Sequence, residues 1–164
     1  MTPQRKPLFA VAFDGIPKAL HRGESELPFV EFESGVEMQV LHTDLDTGLW
    51  VIRMRLAPGA QLPTHKHAGE VFAFTLAGAW KYLEYPEVNT AGSYLYEPAG
   101  SVHTLQALPS NTEKTDVWFA IRGPNLNLDA EGKVTLVLDA GLVLKVYRSR
   151  CRELGMASPT VIGS

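Results

Sequence analysis

Apolar and polar positions along this chain either alternate every second residue or cluster as β-branched and aromatic runs. Such runs lie at Pro28–Glu33, Val36–His42, Leu49–Leu56, Val71–Leu76, Ala79–Tyr85, Ser93–Glu97, Val102–Ala107, Val117–Arg122 and Val134–Leu138. A period of two is the mark of a strand buried on one face. Clusters of Gly, Pro, Asn and Asp separate the runs, and short strands at this spacing predict an all-β sandwich or barrel. After Leu138 the period changes. Leu142, Val143, Val146, Tyr147 and Cys151 fall near helical spacing with Lys145, Arg148 and Arg152 between them. That pattern predicts one amphipathic helix from Ala140 to Glu153, ending before Gly155. The first 25 or so residues are weakly patterned, and their apolar stretch Leu8–Phe13 suits an arm that wraps the barrel or a neighbour. The chain thus divides into an N-terminal arm with edge strands (1–34), a barrel (35–138) and a C-terminal helix and tail (139–164) within one domain.

Composition narrows the class of protein. With 164 residues, 45% of them apolar and 20% charged, the chain can bury one core without metal or disulfide staples. The net charge of −3 lacks the basic excess that nucleic-acid binding requires. Lys145, Arg148, Arg150 and Arg152 read as one solvated helix face. A single cysteine, Cys151, excludes an intramolecular disulfide and suits a reducing compartment, where it packs rather than reacts. Neither a spanning run of about 18 apolar residues nor a secretory h-region is present, so a cytoplasmic protein without membrane contact is expected.

The chemistry gathers in two segments, Gly59–Glu70 and Gly92–His103. His65 and His67 stand two apart, so on a strand both imidazoles project to one side. His103 follows a Pro-Ala-Gly turn, where it could come from across a barrel as a third metal ligand. A His-x-His pair alone is weak, because such pairs also occur on surfaces that bind nothing. His21 and His42 have no partner at ligand spacing and read as surface or interface residues.

The frames around the histidines are more specific. Gly-x5-His-x-His at Gly59–His67 and Gly-x5-Pro-x-Gly-x2-His at Gly92–His103 resemble the two signature motifs of the cupin superfamily, over about residues 35–125. The resemblance implies a jelly-roll barrel enclosing one metal held by histidines. Phe74–Gly78, Trp80–Pro86 and Glu97–Thr104 are similar to the 2,4'-dihydroxyacetophenone dioxygenases. The stretch from Gly123-Pro124 to Gly132-Lys133-Val134 is more loosely similar to the acetylacetone-cleaving dioxygenases. These likenesses imply ferrous iron on His65, His67 and His103, with zinc, manganese and nickel as other ions that imidazole accepts. They further imply carbon–carbon cleavage of a small β-dicarbonyl or hydroxyacetophenone-like ketone with O2.

Carboxylates round out the expected site. Many cupins add a glutamate shortly after His-x-His. Glu70 follows His67 with only Ala68 and Gly69 between, so a regular strand turns it to the opposite face unless those two residues bulge. Glu84 alternates with Trp80 and Tyr82, and the likeness to the dihydroxyacetophenone dioxygenases makes it a candidate fourth ligand. Glu97 matches a glutamate that lies behind the ligands in the acetylacetone-cleaving relatives, where it would orient an imidazole or a water. Phe74, Trp80, Tyr82, Tyr94, Leu105 and Trp118 are candidate pocket walls, although strand alternation must turn some of them outward. Two other functions fit the same residues. One is a zinc- or ligand-binding sensor akin to the cupin half of certain anti-sigma factors; the other is a zinc or manganese isomerase. Open sheet edges and the apolar arm lead us to expect a homodimer or homotetramer.

Overall fold

Residues 17–164 are described by a computed structural model, and the arm segment Leu8–Phe13 lies outside the described residues. Thirteen strands form: β1 Val30–Glu33, β2 Val36–Asp44, β3 Leu49–Leu56, β4 His65–His67, β5 Val71–Ala77, β6 Ala79–Tyr82, β7 Asn89–Thr90, β8 Tyr94–Glu97, β9 Val102–His103, β10 Leu105–Ala107, β11 Thr115–Arg122, β12 Asn125–Leu128 and β13 Val134–Leu138. One helix, α1, spans Ala140–Glu153. The arrangement is an all-β jelly roll whose sheets do not close into a full barrel. A six-stranded sheet runs β1-β2-β3-β11-β5-β8, and its counterparts are a four-stranded sheet β13-β12-β4-β9 and a three-stranded sheet β10-β6-β7.

Alternation builds the core. Along β3, Trp50, Ile52, Met54 and Leu56 are buried and the residues between them are only partly covered. β11 lies antiparallel against β3 and β5, and it buries Val117, Phe119 and Ile121 on that same inner side. A one-residue slip would turn each of these sets to solvent, so this burial pins the register.

On the outer side, the Asp116 carboxylate accepts from Arg53 at 2.7 Å through both oxygens, and from Arg55 at 3.0 Å. A bidentate, partly buried pair of this kind fixes one geometry better than an exposed ion pair does.

The helix packs on β1 and β2. Asp139 caps its first turn by accepting from the Leu142 amide at 2.8 Å, and Arg150 and Arg152 in the last turn complement the helix dipole. Its buried stripe is Ala140, Val143, Leu144, Tyr147 and Cys151, whereas Leu142 and Val146 are only half covered. The stripe is therefore rotated slightly from the sequence expectation, because the helix is seated by the Tyr147 hydroxyl donating to the Pro28 carbonyl at 2.7 Å. Burial pushes the Cys151 thiol up, in keeping with a packing role.

The turn between β4 and β5 depends on Gly69, where an added Cβ would stand 2.3 Å from the Arg122 carbonyl oxygen. Both neighbouring strand ends are tied there, Ala68 N to Pro124 O and Arg122 N to Glu70 O. Gly69→Ala must displace backbone, and we expect it to cost about 2–3 kcal/mol. Urea unfolding followed by tryptophan fluorescence checks this, and an unchanged midpoint would contradict the account.

Candidate metal centre

β4 carries His65 and His67 on one face, with the exposed Lys66 between them. In the ladder of β4 with β9, His65 stands directly opposite His103, so strand pairing brings the third imidazole to the first two. All three are buried, and their ring centroids lie 4.9, 4.9 and 5.3 Å apart. One ring nitrogen from each falls within 4.8 Å of the others, a grouping that could hold a metal ion. The His65 Nδ1 lies 2.8 Å from the Pro63 carbonyl, an arrangement that places the proton on Nδ1 and leaves the Nε2 lone pair free.

Burial holds His65 below the ordinary imidazole range and His67 down to about 4, so both are neutral near pH 7. Neutral imidazole is the form that ligates a cation.

Glu97, at the end of β8, completes the cluster. Its Oε2 lies 3.2 Å from His67 Nε2 and 3.1 Å from His103 Nε2, while its Oε1 accepts from the Tyr82 hydroxyl. Tyr82 also stacks on His103 at 3.8 Å between centroids. Burial works to raise the Glu97 pKa, but the adjacent His103 and His67 outweigh it and the carboxyl sits below its usual range. Burial, then the Glu97 charge, drives the Tyr82 phenol well up, so it stays a donor. Three atoms of this cluster (His67 Nδ1, His103 Nε2 and Glu97 Oε2) are buried without a hydrogen-bond partner. Orphaned lone pairs beside a carboxylate are costly in an apolar setting. A divalent cation would satisfy the acceptors among them, so the residues present fit a metal.

A cavity of about 80 Å³ opens beside the cluster. Trp50, Ile52, Met54 and Phe119 from the six-stranded sheet and Leu105 from the facing side supply its apolar wall. His65, His67, Tyr82 and Glu97 supply a polar wall together with Glu33, Asn125 and Asn127, and among the described residues no lysine or arginine lines it.

Several expected site residues stand elsewhere. Glu84 is exposed, because β6 ends at Tyr82 and the chain turns before alternation can carry Glu84 inward. Its Oε2 instead accepts from the Thr104 amide at 2.9 Å. Glu70 is half-buried just past the bend at Ala68–Gly69 that ends β4, and its carboxylate pairs with Arg122, 3.0 Å from its Nε, rather than with the histidines. Phe74 and Tyr94 are cross-strand partners on the outer face of the six-stranded sheet, and Trp118 pairs with Phe74 there. Trp80 is fully buried but donates to Thr75 Oγ1 at 2.9 Å, away from the cavity wall. Of the expected wall residues, Tyr82 and Leu105 line the cavity. His21 is exposed and His42 half-buried on β2, both away from the cluster.

The sequence reading missed β12 and with it Asn125 and Asn127. The available signal was the alternation Asn125-Leu126-Asn127-Leu128 after Gly123-Pro124. In the ladder of β12 with β4, Asn125 stands opposite His67 and Asn127 opposite His65.

A jelly roll with three buried histidines converging from two paired strands defines a protein of the cupin class. More particularly, the chain belongs to the family of ChrR cupin-like domains, which it matches over residues 20–124. Its fold is shared by a cupin-like protein of unknown function from Ralstonia eutropha JMP134, at 34% identity, TM-score 0.83, and coverage of 90% of this chain and 93% of that one. A second cupin from the same organism matches at 23% identity and TM-score 0.83, covering 94% of this chain and 100% of the other. An acetylacetone dioxygenase from Acinetobacter johnsonii matches at 18% identity and TM-score 0.72, covering 87% and 98%. No curated protein matches the chain. Among the described residues no helix is long and apolar enough to cross a membrane.

Proposed function

We propose that this protein is a mononuclear iron(II) dioxygenase that cleaves a carbon–carbon bond in a small β-dicarbonyl or hydroxyacetophenone-like ketone. The observation that carries this reading is the convergence of three buried imidazoles, two of which, His65 and His67, are held neutral and line a largely apolar cavity. The fold shared with an acetylacetone dioxygenase agrees with it. Iron(II) on His65, His67 and His103 would supply a Lewis acid that promotes loss of a proton from a chelating ketone, and a redox centre for O2. In the overall change one carbon–carbon bond of the ketone breaks and each fragment gains one atom of O2.

The chain's own residues do the rest. The Pro63 carbonyl fixes the His65 tautomer, as an outer hydrogen bond to a ligand imidazole does in metal sites. Tyr82 holds Glu97 through one oxygen and leaves the other facing His67 and His103. There the carboxylate can take up a proton released by the substrate. The apolar wall excludes water, which strengthens every electrostatic interaction at the cluster.

The test is to load the purified protein anaerobically with iron(II), and separately with zinc, and to follow O2 uptake on a panel of ketones. The reading expects O2 consumed one-for-one with ketone by the iron form and none by the zinc form. A protein that binds zinc tightly and never consumes O2 as its iron form is a sensor; one that isomerises a substrate without O2 is an isomerase. We also propose a homodimer or homotetramer, supported by the exposed aromatic face carrying Phe74, Tyr94 and Tyr96 and by the edge strands β1 and β8. A monomeric mass by sedimentation at micromolar concentration would refute it.

A further inference from the structure

We infer that Asn125 is the residue that orients the substrate in the cavity, a role that rests on the ketone-binding reading above. Four observations converge on it. Asn125 lines the cavity, and so does Asn127 on the same face of β12. It stands opposite His67 in the ladder, so its amide is one strand spacing away from the histidine cluster. Its Oδ1 is buried and has no hydrogen-bond partner among the described residues. Among the described residues, the cavity wall offers no lysine or arginine that could take a substrate oxygen in its place.

A buried amide with an unmet acceptor is costly unless something else satisfies it. The β12 ladder is made by backbone groups and leaves the amide side chain without a part in it. The amide also has both polarities: Oδ1 accepts from the hydroxyl of an enol or hydroxyketone, and Nδ2, with the group turned over, donates to a carbonyl. One such contact beside a metal-ligating cluster decides which end of an unsymmetrical ketone faces which way. A few placed polar groups in an apolar cavity characteristically fix orientation in this manner.

Two measurements test this. In the first, pentane-2,4-dione is titrated into zinc-loaded protein, which cannot turn over with O2, and tryptophan emission is followed, Trp50 being on the cavity wall. Asn125→Leu should keep full metal content and bind the dione roughly five- to tenfold more weakly, the range of one lost hydrogen bond. In the second, iron-loaded protein cleaves hexane-2,4-dione, whose two ends differ. The native protein should give one pair of fragments in excess, and the variant should bring the two pairs toward equal amounts, which a merely structural role would not do. Should Asn125→Leu not fold, Asn125→Thr keeps a strand-forming residue whose hydroxyl is too short to reach, and the same shifts are expected. Unchanged dione affinity together with an unchanged fragment ratio overturns the inference. Loss of metal from the variant also overturns it, by showing that Asn125 acts on the metal site. If the native protein itself binds no dione, the ketone-binding reading fails, and this inference falls with it.

Discussion

His103→Ala is expected to abolish O2 consumption and to weaken metal binding at least a hundredfold. Structural ions on four ligands contribute about 10–16 kcal/mol, so each ligand accounts for roughly 3 kcal/mol, or about two orders of magnitude in affinity. His103 is the ligand candidate supplied by a separate strand, and its position opposite His65 is what turns a pair on one strand into a three-sided cluster. Its removal also leaves a void against the stacked Tyr82 ring, with an expected cost of about 2 kcal/mol in the metal-free protein. The two effects separate cleanly. Metal content after dialysis against a competing chelator reports the first, and urea unfolding of the metal-free protein reports the second. A variant that keeps one equivalent of metal would remove the foundation of the proposed function.

Glu97→Gln is expected to weaken metal binding while leaving the metal-free protein nearly as stable as the native one. Without metal, the native carboxylate is 3% exposed, and its Oε2 has no hydrogen-bond partner. A glutamine at this place keeps the acceptor for Tyr82 and gains an amide donor for the orphaned His103 Nε2. The lost charge offsets this gain, because His103 and His67 hold the Glu97 carboxyl below its usual range and the fold favours its ionised form, so the metal-free variant should stay within about 1 kcal/mol of the native protein. With metal, the lost negative charge beside His67 and His103 should lower affinity about 10- to 100-fold. The rise in melting temperature on adding metal is therefore smaller in the variant. Calorimetry of the two forms of each protein measures it, and an equal metal-induced rise in native and variant would show that Glu97 takes no part in holding the cation.

Much of this was legible in the chain because the signals are local. β3 and β13 span the residues that alternation marks, Leu49–Leu56 and Val134–Leu138, and α1 covers Ala140–Glu153 as its period predicts. The His65–His67 pair shares a face because any strand repeats every two residues. What alternation cannot fix is its own phase when both faces are apolar. In β11, Val117-Trp118-Phe119-Ala120-Ile121 offers no polar mark, and only the pairing with β3 and β5 shows that Trp118 faces outward with Phe74. Glu84 escaped for a different reason: where β6 stops is set by the turn after Tyr82, and an alternation argument run past that turn points the wrong way.

The residue string alone therefore determined most of the strands, the helix and the spacing that makes three histidines available, since each depends on neighbours within a few positions. Tertiary structure decided which side chains meet: His103 with His65 by one ladder, Asn125 with His67 by another, and Glu97 with Tyr82 by the approach of β8 to β6. Register between strands distant along the chain is set by burial summed over whole sheets, and no short window of sequence contains that sum.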